Sequence, residues 1–317
     1  MGIELIYDEV EVCLALLNKS LESSLRLSDW DRLFQTRGYR LLKKRELDMG
    51  SSFSDKAFHQ FIQSQANKAV VHSYKTTLQH FKDIDLLDIQ KKVLNYLPKR
   101  AHFNTIIIPV IKPKKNSFVH RIEGESYLFI YLEPDCEKEK LENVFIHELH
   151  HIGLDSVYDP KKYESLDKNT KKLIEWTNAF GEGFAMLAAV GGPQYHPVPF
   201  DETAKEVWDA NIKNFEVDFN KIQRFLFHII DGHFEDEKTL MNKGMELMMN
   251  NGGRGSWYTV GWKISVIIEE ILGRKALINC MEDLRKFYKN FNKAVVFYNQ
   301  KYGSQWPSWD EKIVSRF

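Results

Sequence analysis

Cysteine is scarce: Cys13, Cys136 and Cys280 are the only three in 317 residues. They are far apart, odd in number and outside any metal-type spacing. That argues against a disulfide framework and for a reducing compartment. Net charge is missing too, since 44 Lys and Arg offset 44 Asp and Glu. Without a global field, and without a basic stripe interleaved with aromatics, nucleic acid and acidic membranes are not expected partners. The short basic runs at 43–45 and 112–115 read as solvated surface. No stretch approaches the ~18 apolar residues of a membrane span. The opening Met1-Gly-Ile-Glu-Leu-Ile-Tyr-Asp-Glu9 lacks the basic region of a signal peptide, and Ile6 stands where a myristoylation site needs Ser or Thr. The expected location is cytoplasmic. At 317 residues the chain is long enough to form one elaborate domain or two lobes, and it shows no internal repeat or low-complexity linker.

What the sequence does contain is a chemically specific helix around residues 144–153, whose centre reads His147-Glu148-Leu-His-His151. The pattern His-Glu-x-x-His is the signature of zinc metallopeptidases: two histidines one turn apart bind the metal and the Glu serves as general base. At about 100° per residue, the two imidazoles stand about 40° apart and reach the same ion. Glu148, about 100° round from His147, can touch a water there without ligating the metal. Leu141, Val144, Phe145, Leu149 and Ile152 flank this face and Ile146 lies opposite, so the helix is apolar over most of its girth and expected to be buried. Burying two His and a Glu is costly unless something pairs with them, and a metal is such a partner.

Taken in order, residues 3–27 carry helical periodicity (Ile6, Val10, Cys13, Leu14, Leu17, Leu21, Leu25). Ser28-Asp29 offers an N-cap for a second helix that ends at Gly38. Further helical patterns cover about 54–80 and 84–97, the latter stopped by Pro98. Thr105–Ile111 and Tyr127–Leu132 are rich in β-branched and aromatic residues and read as strands of a small sheet. Pro109 demotes the first to an edge or a bulge. Glu133-Pro134-Asp135 then turns the chain into the metal helix, and a polar stretch follows at 155–168. One helix runs from about Thr170 to Val190, ended by Gly191-Gly192-Pro193. At least four more follow, near 203–230, 236–250, 257–272 and 281–300.

Zinc catalysis needs three protein ligands and an open position. The extended metzincin pattern fails, because Leu154 and Val157 occupy the positions it would need. Asp155 lies one turn after His151 but follows Gly153, where the helix is expected to end. The better third ligand is Glu182, in Asn178-Ala-Phe-Gly-Glu182-Gly-Phe-Ala185; Glu175, two turns earlier, is the fallback. The combination resembles the gluzincins, whose third ligand is a Glu on the next helix. Glu182-Gly183-Phe184-Ala185 is similar to the Glu-Gly-Phe-Ala context of the aminopeptidase N pattern, over about forty residues. It departs by a longer gap after His151, by Gly181 before the Glu, and by lacking a Gly-x-Met-Glu-Asn exopeptidase motif. Over most of its length the chain resembles bacterial families of uncharacterised zinc-dependent peptidases. These join a helical N-terminal part to a His-Glu-x-His-His helix, a downstream Glu helix and a late Tyr-x-x-Gly segment, here Trp257-Tyr258-Thr-Val-Gly261-Trp262-Lys263.

The resemblance implies a fold that is α+β, predominantly α, and zincin-like, with a small sheet beside an active-site helix. Residues 1–100 would form a helical N-terminal part, 101–193 the core with sheet, metal helix and Glu helix, and 194–317 a helical C-terminal part, the three separate or continuous. It implies one zinc ion per chain on His147, His151 and Glu182, a peptide or protein substrate, and a phenol or imidazole donor opposite the metal. Tyr258 is the first candidate for that donor and His233 the second. His150, about 60° from His147 on the far side from the apolar arc, is expected to support a ligand from behind or to face solvent. Tyr195 and His196 could line the substrate site. An endopeptidase is favoured, with an aminopeptidase-like enzyme or a non-catalytic zinc- or peptide-binding protein as rivals. Oligomeric state is left open.

Overall fold

The computed structural model describes residues 2–249 and 254–317, Leu27 by its backbone alone. It is predominantly helical with a small sheet, as expected. In chain order the first elements are β1 (Gly2–Leu5), α1 (Asp8–Glu22), α2 (Leu27–Gln35), α3 (Arg37–Asp48), α4 (Asp55–Ile62), α5 (Gln65–Ala69), α6 (Val71–Lys82) and α7 (Leu86–Leu94). After β2 (Asn104–Val110), β3 (Phe118–Ile122) and β4 (Glu125–Tyr131) comes α8 (Lys138–Val157), which carries the His-Glu-x-x-His turn. The rest is helical: α9 (Lys168–Thr177), α10 (Gly181–Val190), α11 (Glu202–Lys213), α12 (Phe215–Asp231), α13 (Glu237–Met249), α14 (Ser256–Leu272), α15 (Arg274–Glu282), α16 (Arg285–Tyr302) and α17 (Glu311–Val314). Residue 250, the expected end of the 236–250 helix, lies outside the described residues. Two compact units result: Met1–Ile89 with His102–Ile152, and Gln90–Ala101 with Gly153–Phe317. No helix among the described residues is long and apolar enough to cross a membrane.

In the first unit the strands stand in the order β1-β2-β4-β3, parallel except for the β3–β4 hairpin. Strand β2 is therefore central, which corrects the reading of Pro109 as an edge or bulge marker. The ladder explains why the proline is tolerated. Ile107 C=O accepts from Ile6 N–H and Val110 C=O from Leu132 N–H, so by alternation residue 109 faces the β1 side. Strand β1 ends at Leu5, opposite Ile107, so pairing on that side stops where the proline removes the donor. Ile106, Ile108 and Val110 bury one face against Val10, Leu14 and Leu17 of α1 and Tyr39 and Leu42 of α3, while Ile107, Leu128 and Ile130 are fully buried on the other. Burial of both faces is why these strands read as continuous apolar runs rather than alternating ones.

Two N-terminal expectations fail for tertiary reasons. Residues 2–5 are a strand, because β2 offers them a parallel partner in the register Gly2↔Asn104 to Leu5↔Ile107. Gly38 does not end a helix; it lies in the first turn of α3. A Cβ there would come within 2.8 Å of Glu9 Cβ, so this glycine marks a close approach of α1 and α3. Asp8 holds the approach, accepting from the backbone N–H groups of Arg37 (2.6 Å) and Gly38 (3.0 Å).

The second unit is built on aromatic packing. Trp257 lies edge-on to Phe180 and Phe225 and stacks on Trp176, and its Nε1–H donates to Gly244 C=O (3.1 Å). The expected single helix over 170–190 is two, α9 and α10, joined by a 3-10 turn at Asn178–Phe180. Gly191 ends α10 in the left-handed conformation (φ +79°), as the glycine pair suggested.

Candidate metal centre

Helix α8 does not stop at Gly153 but continues to Val157, whose carbonyl accepts from Arg100 Nη2 at 2.5 Å. The His-Glu-x-x-His turn thus sits inside a continuous helix. Most of its apolar positions are buried as the pattern required, Phe145 and Leu149 fully and Leu141, Ile146 and Ile152 nearly so, while Val144 is half-buried. His147, Glu148 and His151 are half-buried. The two imidazoles meet edge to face, with Nε2 of His147 and of His151 3.2 Å apart.

The start of α10 is fixed by two glycines. Gly181 leaves room for Leu154 on the last turns of α8, whose Cδ2 lies 3.3 Å from where a Cβ on Gly181 would be. Gly183 faces α14 so closely that its own Cβ would fall 2.1 Å from both Gly261 C and Trp262 N. Helices approach this closely only through residues without side chains. The contact ties the Glu-Gly and Tyr-x-x-Gly motifs together: each places its candidate residue near a shared glycine–glycine contact. Glu182 precedes Gly183, and Tyr258 sits one turn before Gly261 on the same face of α14.

One nitrogen each from His147 and His151 and one carboxylate oxygen of Glu182 all lie within 4.8 Å of one another. With Zn–N bonds of ~2.0–2.1 Å, tetrahedral coordination sets neighbouring donor nitrogens ~3.3 Å apart. The observed 3.2 Å suits it. Two imidazoles and a carboxylate are also the donor set of known catalytic zinc sites. The residues present fit a divalent ion.

The sequence profile of a family described as putative zinc-dependent peptidase (DUF5700) matches residues 30–297. The chain belongs to this family. No curated protein and no solved structure matches the chain. The DUF5700 match spans α2 to α16 and so takes in α8, α10 and α14, the elements carrying the candidate residues.

The remaining candidates are more scattered. Tyr258 is half-buried and packs against the cluster of Met186, Val198 and Trp208. His150 is fully buried, so the solvent-facing alternative for it is excluded. Glu175, the fallback ligand, is exposed on α9 and lines a cavity with Lys168, Lys171, Lys172 and Glu237. Asp155 is exposed on the last turn of α8. His233 is exposed just past the C-terminus of α12, its ring against His228. His196 holds its own loop, with Nε2 3.1 Å from Asp209 Oδ1 and Nδ1 accepting from Val198 N–H (3.1 Å); Tyr195 is exposed.

One residue escaped the sequence reading. Arg254 is half-buried immediately before α14. Burial holds its guanidinium below the ordinary arginine value, while the charges of Tyr258, Asp201 and Glu182 pull it back up. Its position one turn before the motif tyrosine was the available signal.

Proposed function

We propose that this member of the family is a zinc-dependent peptidase that cleaves peptide bonds with Glu148 as general base. His147, His151 and Glu182 would hold one zinc ion, and residues 101–193 would form the zincin-like core. The observation that carries the reading is the 3.2 Å separation of the two imidazole nitrogens on a half-buried His-Glu-x-x-His turn, with Glu182 in the same donor cluster. Zinc bound there would supply Lewis acidity, lowering the pKa of water toward ~7 and polarising a carbonyl. Glu148 stands next to a ligand without being one. It takes a proton from the attacking water as that oxygen bonds to the carbonyl carbon, then delivers the proton to the amine as the C–N bond breaks. Tyr258 donates its phenol hydrogen to the oxygen that gains charge. An endopeptidase is the favoured form, acting in the cytoplasm on peptides or proteins. All three cysteines are free and buried, which supports a reducing compartment.

The test is metal content and turnover together. Wild type should bind one equivalent of zinc and cleave an N-terminally blocked peptide. Glu182→Ala should bind zinc at least tenfold more weakly. Glu148→Gln should keep the metal and lose about 10²–10⁴-fold in turnover. Equal zinc affinity in wild type and Glu182→Ala would remove the third ligand, and unchanged turnover in Glu148→Gln would remove the base. Cleavage restricted to peptides with a free N-terminus would replace the endopeptidase by an aminopeptidase.

A further inference from the structure

The zero net charge of the whole chain conceals a local excess. Residues 274–302 hold seven Lys and Arg against two acids, Glu282 and Asp283. Helix α16 itself carries five basic residues and no acid. Its inner face is apolar, with Phe287, Tyr288, Phe291, Ala294 and Val295 buried. At about 100° per residue, Lys286, Lys289, Lys293, Val296 and Phe297 fall within an arc of about 100° on the opposite side. All five are exposed, Val296 by 51% and Phe297 by 53%. The face runs about 17 Å along the helix, basic over its first part and apolar over its second.

These lysines have no anion to answer. Among the described residues none of the three makes a hydrogen bond or an ion pair. Asp283, three residues before Lys286, is already engaged: Arg285 donates from Nε and Nη2 to its two carboxylate oxygens (2.8 and 2.9 Å). The other basic helices differ. In α3, Lys43 is matched by Asp55, Lys44 by Asp48 and Arg45 by Glu46, and in α9 Lys172 is matched by Glu237.

An anionic partner fits the lysines, and the rest of the face narrows its kind. The outside of a helix is convex, which suits a planar surface better than an extended peptide. Lysines are mobile point charges, whereas recognition of a base edge or a single carboxylate favours the arginine fork, and Arg285 is spent on Asp283. Val296 and Phe297 continue the same arc, as the apolar side chains of an interfacial helix do beside its cations. We propose that the outer face of α16 binds an anionic lipid surface, with the three lysines meeting headgroup phosphates and Val296 and Phe297 entering below them. Each lysine near such a surface contributes about fivefold in affinity, so the three together give ~100-fold. The assignment is independent of the peptidase reading.

Binding of the full chain is followed by co-sedimentation with two kinds of vesicle: phosphatidylcholine alone, and phosphatidylcholine with about one-third phosphatidylglycerol. The mixed vesicles should bind at least tenfold more tightly, and the difference should shrink as salt rises from about 0.1 to about 0.5 M. The triple variant Lys286→Gln, Lys289→Gln, Lys293→Gln should bind them about 100-fold more weakly. Phe297→Gln should weaken binding about tenfold and leave its salt dependence in place. These positions are exposed, so the variants should melt within about 2 °C of wild type. A second triple variant, Lys91→Gln, Lys99→Gln, Lys115→Gln, removes the same charge from exposed positions elsewhere and should bind like wild type. Equal binding of wild type to the two kinds of vesicle overturns the proposal. So does an equal loss in the two triple variants, which would make net charge alone responsible. Binding to a DNA duplex or a Glu-rich peptide that the α16 triple variant abolishes, without binding to mixed vesicles, also overturns it and names the other partner.

Discussion

Replacing Gly183 by alanine tests how the candidate residues are held together. The added Cβ would lie 2.1 Å from Gly261 C and 2.1 Å from Trp262 N. Ordinary contact needs ~3.5 Å, so α10 and α14 must separate by more than ~1 Å. Both obstacles are backbone atoms, and no change of rotamer relieves them. Overpacking of a filled interior costs about 1–3 kcal/mol, and a backbone clash belongs at the upper end. For a protein of this size that lowers Tm by about 6–12 °C. Because Glu182 adjoins the substituted position, zinc affinity should fall as well, even in protein that remains folded below the transition. Gly191→Ala is the control: its Cβ would meet nothing within 4 Å, but φ is +79°, so only strain of about 1 kcal/mol is expected, with metal affinity unchanged. Thermal melts and zinc titrations of the two variants decide the matter. A Gly183→Ala protein that melts within about 2 °C of wild type and binds zinc equally well would refute the glycine contact as the device that sets Glu182.

Glu9 is fully buried beside Cys13, whose Sγ donates to it at 3.1 Å, and desolvation pushes its carboxyl up to about 8. Between about 4.5 and about 8 the folded protein keeps a proton that the unfolded chain has released, so this group makes stability fall as pH rises through that window. The full effect is up to about 5 kcal/mol. Glu9→Gln should therefore match wild type near pH 4.5 and melt higher near pH 8; parallel melting curves at both pH values would contradict the burial argument. Asp8 satisfies the N–H groups of Arg37 and Gly38 at the start of α3, so Asp8→Ala should cost about 1–2 kcal/mol by denaturant titration. A change below about 0.3 kcal/mol would mean that water replaces those bonds without penalty.

The candidate metal-binding turn was legible because its chemistry and its period coincide in five adjacent residues, and because the apolar arc around it requires burial. Strands β2 and β4 were legible for a similar local reason. Features that failed depend on distant chain. Residues 2–5 sit at the head of the helical pattern that continues into α1, and they form a strand because residues 104–107 lie alongside. Pro109 is harmless in a central strand because β1 stops short of it, which no local pattern encodes. Gly38 and Gly183 both mark places where another element passes close by, but a sequence does not distinguish such a glycine from a helix terminator. Arg254 looks like any surface arginine, and only the fold shows it half-buried just before α14. His150 looked amphipathic in position, and only packing shows it fully enclosed.

The pairing of β1 with β2 also bears on synthesis. Gly2 meets Asn104, so the first strand stays without a partner until about a hundred further residues have left the ribosome. During that interval the nascent chain can assemble its early helices but not the sheet they cover. Crowding or a stalled ribosome before residue 104 would leave Ile3 and Leu5 open to other unfolded chains, and helper proteins that shield short apolar strands would matter most at that stage.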